Sequence, residues 1–231
     1  MIDALQAEVC RVNRELGSAG LIVLSFGNAS AVNRPAGLLA IKPSGVPYDA
    51  LQPSDIVVLG LDDGEPVAGG RRPSSDAPTH LELYRRLPTI GGIVHTHSLH
   101  ATSWAQAGLE IPCLGTTHSD HFRGSIPITR ALSAAEIAGD YEANTGVVIV
   151  ERFAALDPDE LPGILVAHHG PFTWGPTSAA ALANAIALEA IAQMALEALS
   201  LRPDLGPIPD ALRDRHFARK HGSSAYYGQG D

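Results

Sequence analysis

His95 and His97 are the residues with the clearest capacity for chemistry in this chain. They sit in the run Gly91-Gly92-Ile93-Val94-His95-Thr96-His97-Ser98, whose apolar, partly β-branched middle reads as a buried strand behind two helix-breaking glycines. Side chains alternate faces along a strand, so the two imidazoles point one way and Thr96 the other. Their Cβ atoms are then roughly 7 Å apart, close enough to converge on one cation. Zinc accepts nitrogen ligands and needs more than two. A second apolar stretch, 163–172, also reads as a strand and ends in His168-His169-Gly170-Pro171-Phe172, which offers the missing imidazole. Three such nitrogens leave a coordination position for a carboxylate or a substrate.

Further polar clusters fall where strands are expected to give way to turns. Gly27-Asn28-Ala29-Ser30 follows a strand expected at 21–25, and reads either as a tight turn or as a set of donors to an anion. Lys42-Pro43-Ser44-Gly45 follows a strand at 38–41 and groups a cation, a hydroxyl and an amide, suited to phosphate without being a P-loop. Ser74, Ser75 and Asp76 precede the helical pattern Leu81, Leu83, Tyr84, Leu87. They read as a helix cap and, compatibly, as an anion site at a helix N-terminus. Asp120 lies in the His- and Thr-rich stretch 116–121, expected to be a loop, where it is either a turn former or a general acid/base. The tail, 211–231, holds Arg213, Arg215, His216, Arg219, Lys220, His221 and Tyr226-Tyr227. It reads as a solvated terminal helix, or as a phosphate clamp with a tyrosine acid acting on a neighbouring subunit.

The elements that must carry these groups follow from periodicity. Leu5, Val9 and Val12 place a helix over 3–16, and a third strand covers 56–59 before the turn residues Asp62-Asp63-Gly64. A helix is expected over 101–107, a capping box at Ser133-Ala134-Ala135-Glu136, a central strand at 147–150 and an Ala-rich helix over 179–201. Asn184, Glu189, Gln193 and Glu197 make that last helix too polar to be expected to span a bilayer. A length of 231 residues fits one domain, and a net charge of −9 argues against nucleic acid or an anionic membrane as the main partner. Cys10 and Cys113 form no CxxC or disulfide framework, and the N-terminus lacks an apolar signal core. A soluble cytoplasmic protein is expected.

Taken in order, the motifs Gly27-Asn28-Ala29-Ser30, Lys42-Pro43-Ser44-Gly45, Pro73-Ser74-Ser75-Asp76-Ala77-Pro78-Thr79-His80, Gly92-Ile93-Val94-His95-Thr96-His97-Ser98, Gly115-Thr116-Thr117-His118-Ser119-Asp120 and His169-Gly170-Pro171-Phe172-Thr173-Trp174-Gly175 resemble the class II aldolase family. The likeness is greatest to its L-ribulose-5-phosphate 4-epimerase branch and extends to Arg219-Lys220-His221-Gly222 and Ala225-Tyr226-Tyr227-Gly228-Gln229. The resemblance implies one α/β domain over the whole chain, with a central, largely antiparallel sheet flanked by helices. It implies a divalent metal, Zn2+ or else Mn2+ or Co2+, held by Asp76, His95, His97 and His169. Gly27, Asn28, Ser44, Gly45, Ser74 and Ser75 would bind the phosphate end of a phosphorylated ketopentose. Asp120 and Tyr227 would be the acid/base pair, Tyr227 coming from an adjacent subunit of a homotetramer whose tails, from about residue 211 onward, complete neighbouring sites. Ala167 stands where the branch often has a further histidine, and His121 where relatives often carry an aromatic. Tyr227 is preferred to Tyr226 on the local Tyr-Tyr-Gly-Gln match. Two alternatives carry different expectations. An aldolase of the L-fuculose-1-phosphate type would have glutamate where this chain has Asp76. A non-catalytic, adducin-like module would have no use for His95, His97, His169 and Asp120 together.

Overall fold

Among the described residues, seven strands make one sheet, and its order brings the metal-ligand candidates side by side. The computed structural model describes residues 1–221 and Ala225. The strands are β1 (Gly27–Asn33), β2 (Leu38–Ile41), β3 (Val57–Gly60), β4 (Pro66–Ala68), β5 (Gly92–Thr96), β6 (Gly163–Leu165) and β7 (Pro171–Gly175). They lie in the order β4-β3-β2-β1-β5-β7-β6, each neighbouring pair antiparallel. The expected Asp62-Asp63-Gly64 turn joins β3 to β4, with Gly64 at φ +77.

The helices are α1 (Ile2–Ser18), α2 (Ala77–Arg86), α3 (Leu99–Ala107), α4 (Thr116–Ser119), α5 (Ala134–Ala138), α6 (Tyr141–Arg152), α7 (Ser178–Leu201) and α8 (Asp210–His221). They cover both faces of the sheet. Leu5 and Val9 of α1 pack on Ala31, Leu38, Ala40 and Val58, while Val12 and Leu16 meet Ala29, Val94 and the start of α7. On the opposite face Leu39, Ile41, Val57 and Leu59 pack with Leu81, Leu83 and Tyr84 of α2. Burial on both faces explains why β2 reads as an unbroken apolar run. The α1 stripe holds without a side-chain N-cap, because each buried Leu or Val contributes about 1.5–3 kcal/mol relative to exposure.

Several elements differ from the sequence reading. Residues 21–25 form no strand: Phe26 N donates to Val23 O in a turn, Leu24 sits at φ +56 with its side chain exposed, and the strand starts at Gly27. Gly27 through Ser30 is therefore sheet, not turn. Val147 to Val150, expected as a strand on β-propensity, is part of α6, where packing against α2 overrides that propensity. The stretch 163–172 is two strands, folded back at a tight turn in which Val166 N donates to Gly170 O at 2.9 Å and His168 adopts φ +63. Asp120 ends a short helix, α4, in place of the expected loop. The Ser133/Glu136 capping box is present at the start of α5. By length and hydropathy α7 does qualify as able to cross a bilayer, contrary to the expectation from its polar residues. Its packing is nevertheless that of a core helix, burying Ala181, Leu182, Ala185, Leu188 and Ile191.

Candidate active site

The register of three neighbouring strands gathers the imidazoles. Asn28 of β1 pairs with His95 of β5, and His95 pairs with Phe172 of β7. His97 falls one residue past the end of β5, and the β6–β7 turn carries His169 back beside both. Ring centroids are 5.0 Å apart for His95–His97, 4.8 Å for His95–His169 and 4.9 Å for His97–His169, a nearly equilateral triangle. The Nδ1–H of His95 donates to Pro171 O at 2.9 Å, so its Nε2 carries the lone pair, and that atom faces His97 Nε2 at 3.2 Å. Two nitrogens sharing a tetrahedral zinc at its usual bond length stand about 3.3 Å apart. The donor set and its spacing therefore fit a divalent ion, and the ligand atoms of His95, His97 and His169 all lie within 4.8 Å of one another.

Electrostatics keep His97 and His169 neutral and able to coordinate. Burial, with neighbouring imidazoles adding to it, pushes His97 down to about 4 and His169 down to about 3. Asp76 shares the cavity, although the tight cluster of ligand atoms contains the three histidines without it. It occupies the N-cap position of α2 but does not cap; its Oδ2 accepts instead from Asn28 Nδ2 at 2.7 Å. Burial raises the Asp76 carboxyl, and the surrounding imidazoles with the Asn28 amide bring it below its ordinary value.

The cavity around this cluster measures about 370 Å³. Gly27, Asn28, Ser44, Gly45, Ser74 and Ser75 all line it, with Lys42 and the metal-ligand candidates. Backbone bonds Ser44 N→Arg72 O and Ser74 N→Lys42 O, 3.0 and 2.9 Å, clip two loops together and set the serines alongside one another. Gly27 stands at φ +108, and a Cβ there would lie 2.6 Å from His95 O, so only glycine allows β1 to begin so close to the imidazole strand. Lys42 is buried, its Nζ 4.6 Å over the Tyr48 ring, and burial lowers its pKa. Asn28 Oδ1 is buried and has no hydrogen-bond partner among the described residues, an acceptor that a ligand hydroxyl would satisfy. Ser25, Phe26, Tyr141 and Glu142 also line it and were not singled out in the sequence. Tyr141 and Glu142 start a helix where the sequence suggested the approach to a strand, so only the α2–α6 packing reveals them. A more open depression of about 700 Å³ adjoins at Ser25 and Gly45 but holds none of the imidazoles.

Asp120 is not among the residues lining the cavity of its own chain. At the end of α4 it is clamped by α8: Arg219 Nε donates to Oδ1 at 3.0 Å, Arg219 Nη2 to Oδ2 at 2.5 Å, and His216 Nδ1 lies 3.1 Å from Oδ1. His221 Nε2 lies 2.9 Å from the Asp120 carbonyl. Burial by itself raises the Asp120 carboxyl; Arg219 and His216 outweigh it and hold the group ionised at neutral pH. Tyr226 and Tyr227 lie outside the described residues.

Two buried histidines away from the imidazole triangle make stability depend on pH. Burial pushes His80 down to about 3, partly offset by Asp76, and pushes His118 down to about 4, partly offset by its bond to Gly124 O. Both folded values lie below the unfolded value of about 6.5, so their contribution is complete above that pH and is lost as pH falls toward the folded values. Metal-free protein is expected to lose up to about 1.4 kcal/mol per pH unit per ring below about pH 6.5. Thermal melts down that range check it. A flat profile, or an unchanged slope in His118→Gln, counts against the assignment.

Comparison with known proteins places this geometry. Residues 7–196 match the family model for the class II aldolase and adducin N-terminal domain. The chain belongs to this family. It is 52% identical over 228 residues to the L-ribulose-5-phosphate 4-epimerase UlaF of Salmonella paratyphi C (strain RKS4594), covering 99% of this chain and 100% of that one. The UlaF protein of Salmonella typhi is similar to the same degree, 52% over 228 residues with the same coverage. Among solved structures, an L-fuculose 1-phosphate aldolase superposes with a TM-score of 0.79 at 22% identity, covering 94% of this chain and 95% of that one. The L-fuculose-1-phosphate aldolase of Thermus thermophilus gives 0.68 at 24% identity, covering 88% and 99%. At those identities the solved structures speak for the fold. The class II aldolase fold expected from the motifs is thus the one this chain adopts, with an antiparallel sheet between helices.

Proposed function

We propose that this protein is a cytoplasmic L-ribulose-5-phosphate 4-epimerase, interconverting L-ribulose 5-phosphate and D-xylulose 5-phosphate. The observation that carries the reading is 52% identity to UlaF along 99% of the chain, joined to the His95/His97/His169 triangle. C4 of a ketopentose phosphate bears no acidic proton, so direct deprotonation is a poor route to inversion. Cleaving C3–C4 in a retro-aldol step, turning the aldehyde and re-forming the bond inverts the carbon without it. His95, His97 and His169, with Asp76 beside them, would hold a divalent cation, which we take to be zinc. When bound, that ion supplies the positive charge an enediolate requires.

The remaining tasks fall to the chain itself. Ser44, Ser74 and Ser75 offer hydroxyls, and Gly27 and Gly45 offer backbone amides, to keep the phosphate anchored while the aldehyde rotates. Asn28 joins them, and Lys42 adds positive potential. The two faces of the aldehyde need proton transfer at the C4 oxygen from opposite sides, roles we give to Asp120 and Tyr227. The Arg219 clamp makes Asp120 and α8 one unit, which supports the idea that both face a neighbouring subunit of a homotetramer, with the tail completing that site. Asp76, where the fuculose-phosphate aldolase pattern calls for glutamate, favours epimerisation over fragment release.

The test is conversion of L-ribulose 5-phosphate before and after chelation, with glycolaldehyde phosphate measured in parallel. Conversion that is lost on chelation and restored by Zn2+, Mn2+ or Co2+ is expected. Released glycolaldehyde phosphate would move the protein to the aldolase class, and metal-loaded protein without turnover would defeat the epimerase reading.

A further inference from the structure

We infer that Tyr141 is a positioning residue for the metal centre, its hydroxyl orienting the His169 imidazole from the start of α6. His95 already shows how such a ring is fixed, its Nδ1–H given to Pro171 O at 2.9 Å so that Nε2 faces the cluster. His97 faces the cluster through Nε2. His169 has Tyr141 Oη 3.5 Å from its Nδ1, with the two rings 6.2 Å apart and inclined by 35°. A neutral imidazole that gives Nε2 to an ion carries its proton on Nδ1, and the Tyr141 oxygen stands ready to accept it. Ligating histidines as a rule give their second nitrogen to such a partner, which fixes tautomer and ring orientation.

What makes this more than a chance approach is how firmly Tyr141 is placed. Thr145 Oγ1 donates to the Tyr141 carbonyl at 2.9 Å, and Thr79 Oγ1 of α2 donates to the Glu142 carbonyl at 2.5 Å. Further along α6, a Cβ at Gly146 would lie 2.7 Å from Glu82 Cβ, so the two helices meet at a separation only glycine permits. The helix that begins at Asp76 thus sets the position of Tyr141. Asp76 at the start of α2 and Tyr141 at the start of α6 both line the cavity with the imidazole cluster. His169, on the tight β6–β7 turn, lacks the strand pairing that steadies His95, and an outside restraint matters most there.

This inference rests on the metal-centre part of the proposed function and not on its substrate. The test therefore uses the metal alone. Tyr141→Phe is titrated with Zn2+ against a chromogenic chelator and loaded with Co2+ for its visible spectrum, and thermal melting of the metal-free protein monitors the fold. An affinity loss of about ten- to a hundredfold and an altered Co2+ spectrum are expected at unchanged melting temperature. A second variant, Tyr141→Gln, returns an oxygen acceptor to the same helix start and is expected to recover part of the affinity. Wild-type affinity and spectrum in Tyr141→Phe would overturn the role, as would equal losses in both variants. Either result leaves the epimerase reading standing, since that is decided by turnover of wild-type enzyme.

Discussion

His97→Ala is expected to abolish stoichiometric metal binding and lower epimerisation by on the order of 10³-fold or more, since several kcal/mol of charge stabilisation disappear with the ion. His97 is the informative member of the triangle. It is only partly buried, whereas His95 is buried and stacked on Phe172 at 4.1 Å, so His95→Ala would also leave a hole in the core. With His97 gone, two imidazoles remain and the facing pair of Nε2 atoms is broken. Metal analysis of dialysed protein, a Zn2+ titration and turnover together decide the matter. Wild-type metal content with full turnover would remove the triangle from the mechanism.

The second large effect concerns Asp120. Asp120→Asn is expected to reduce epimerisation by about 10²–10⁴-fold, the usual worth of a positioned general acid/base, with metal content unchanged. Asparagine fills the same volume but cannot accept a proton, and it leaves Arg219 facing a neutral amide. A change in how α8 sits is read out separately by limited proteolysis of the tail. Loss of bound metal would make Asp120 a ligand, and near-normal turnover would leave the clamp a purely structural device. Combining a subunit that carries Asp120→Asn with one that carries His97→Ala tests whether residues from two chains build one site. Partial recovery of activity in the mixture is expected, and none is expected if each site belongs to a single chain.

Local chemistry made much of this molecule legible before any fold was known. The stripe Leu5, Val9, Val12 marked α1, the apolar runs marked β2, β3 and β5, and Ser133 with Glu136 marked α5, because capping and burial periodicity act within a few residues. The same locality exposed His95 and His97 as neighbours. Where the deciding contact was distant, local reading failed. Val147 to Val150 is helical because α2 lies against it, and Gly27 through Ser30 is strand because β2 and β5 flank it.

By itself, then, the order of residues determined which groups are able to bind a cation and a phosphate, and which family the chain resembles. Only the tertiary structure decided how they meet. The reversal at His168 brings His169 within 4.9 Å of the other two rings, and Asp76 forgoes its own helix to hold Asn28. Asp120 is handed to α8 and away from its own cavity, and Tyr141 arrives from a helix that sequence disguised as a strand. The physical reason is the same each time. Propensity and spacing act over a turn or a strand's width, whereas convergence of a site is set by sheet register and helix packing between residues dozens of positions apart.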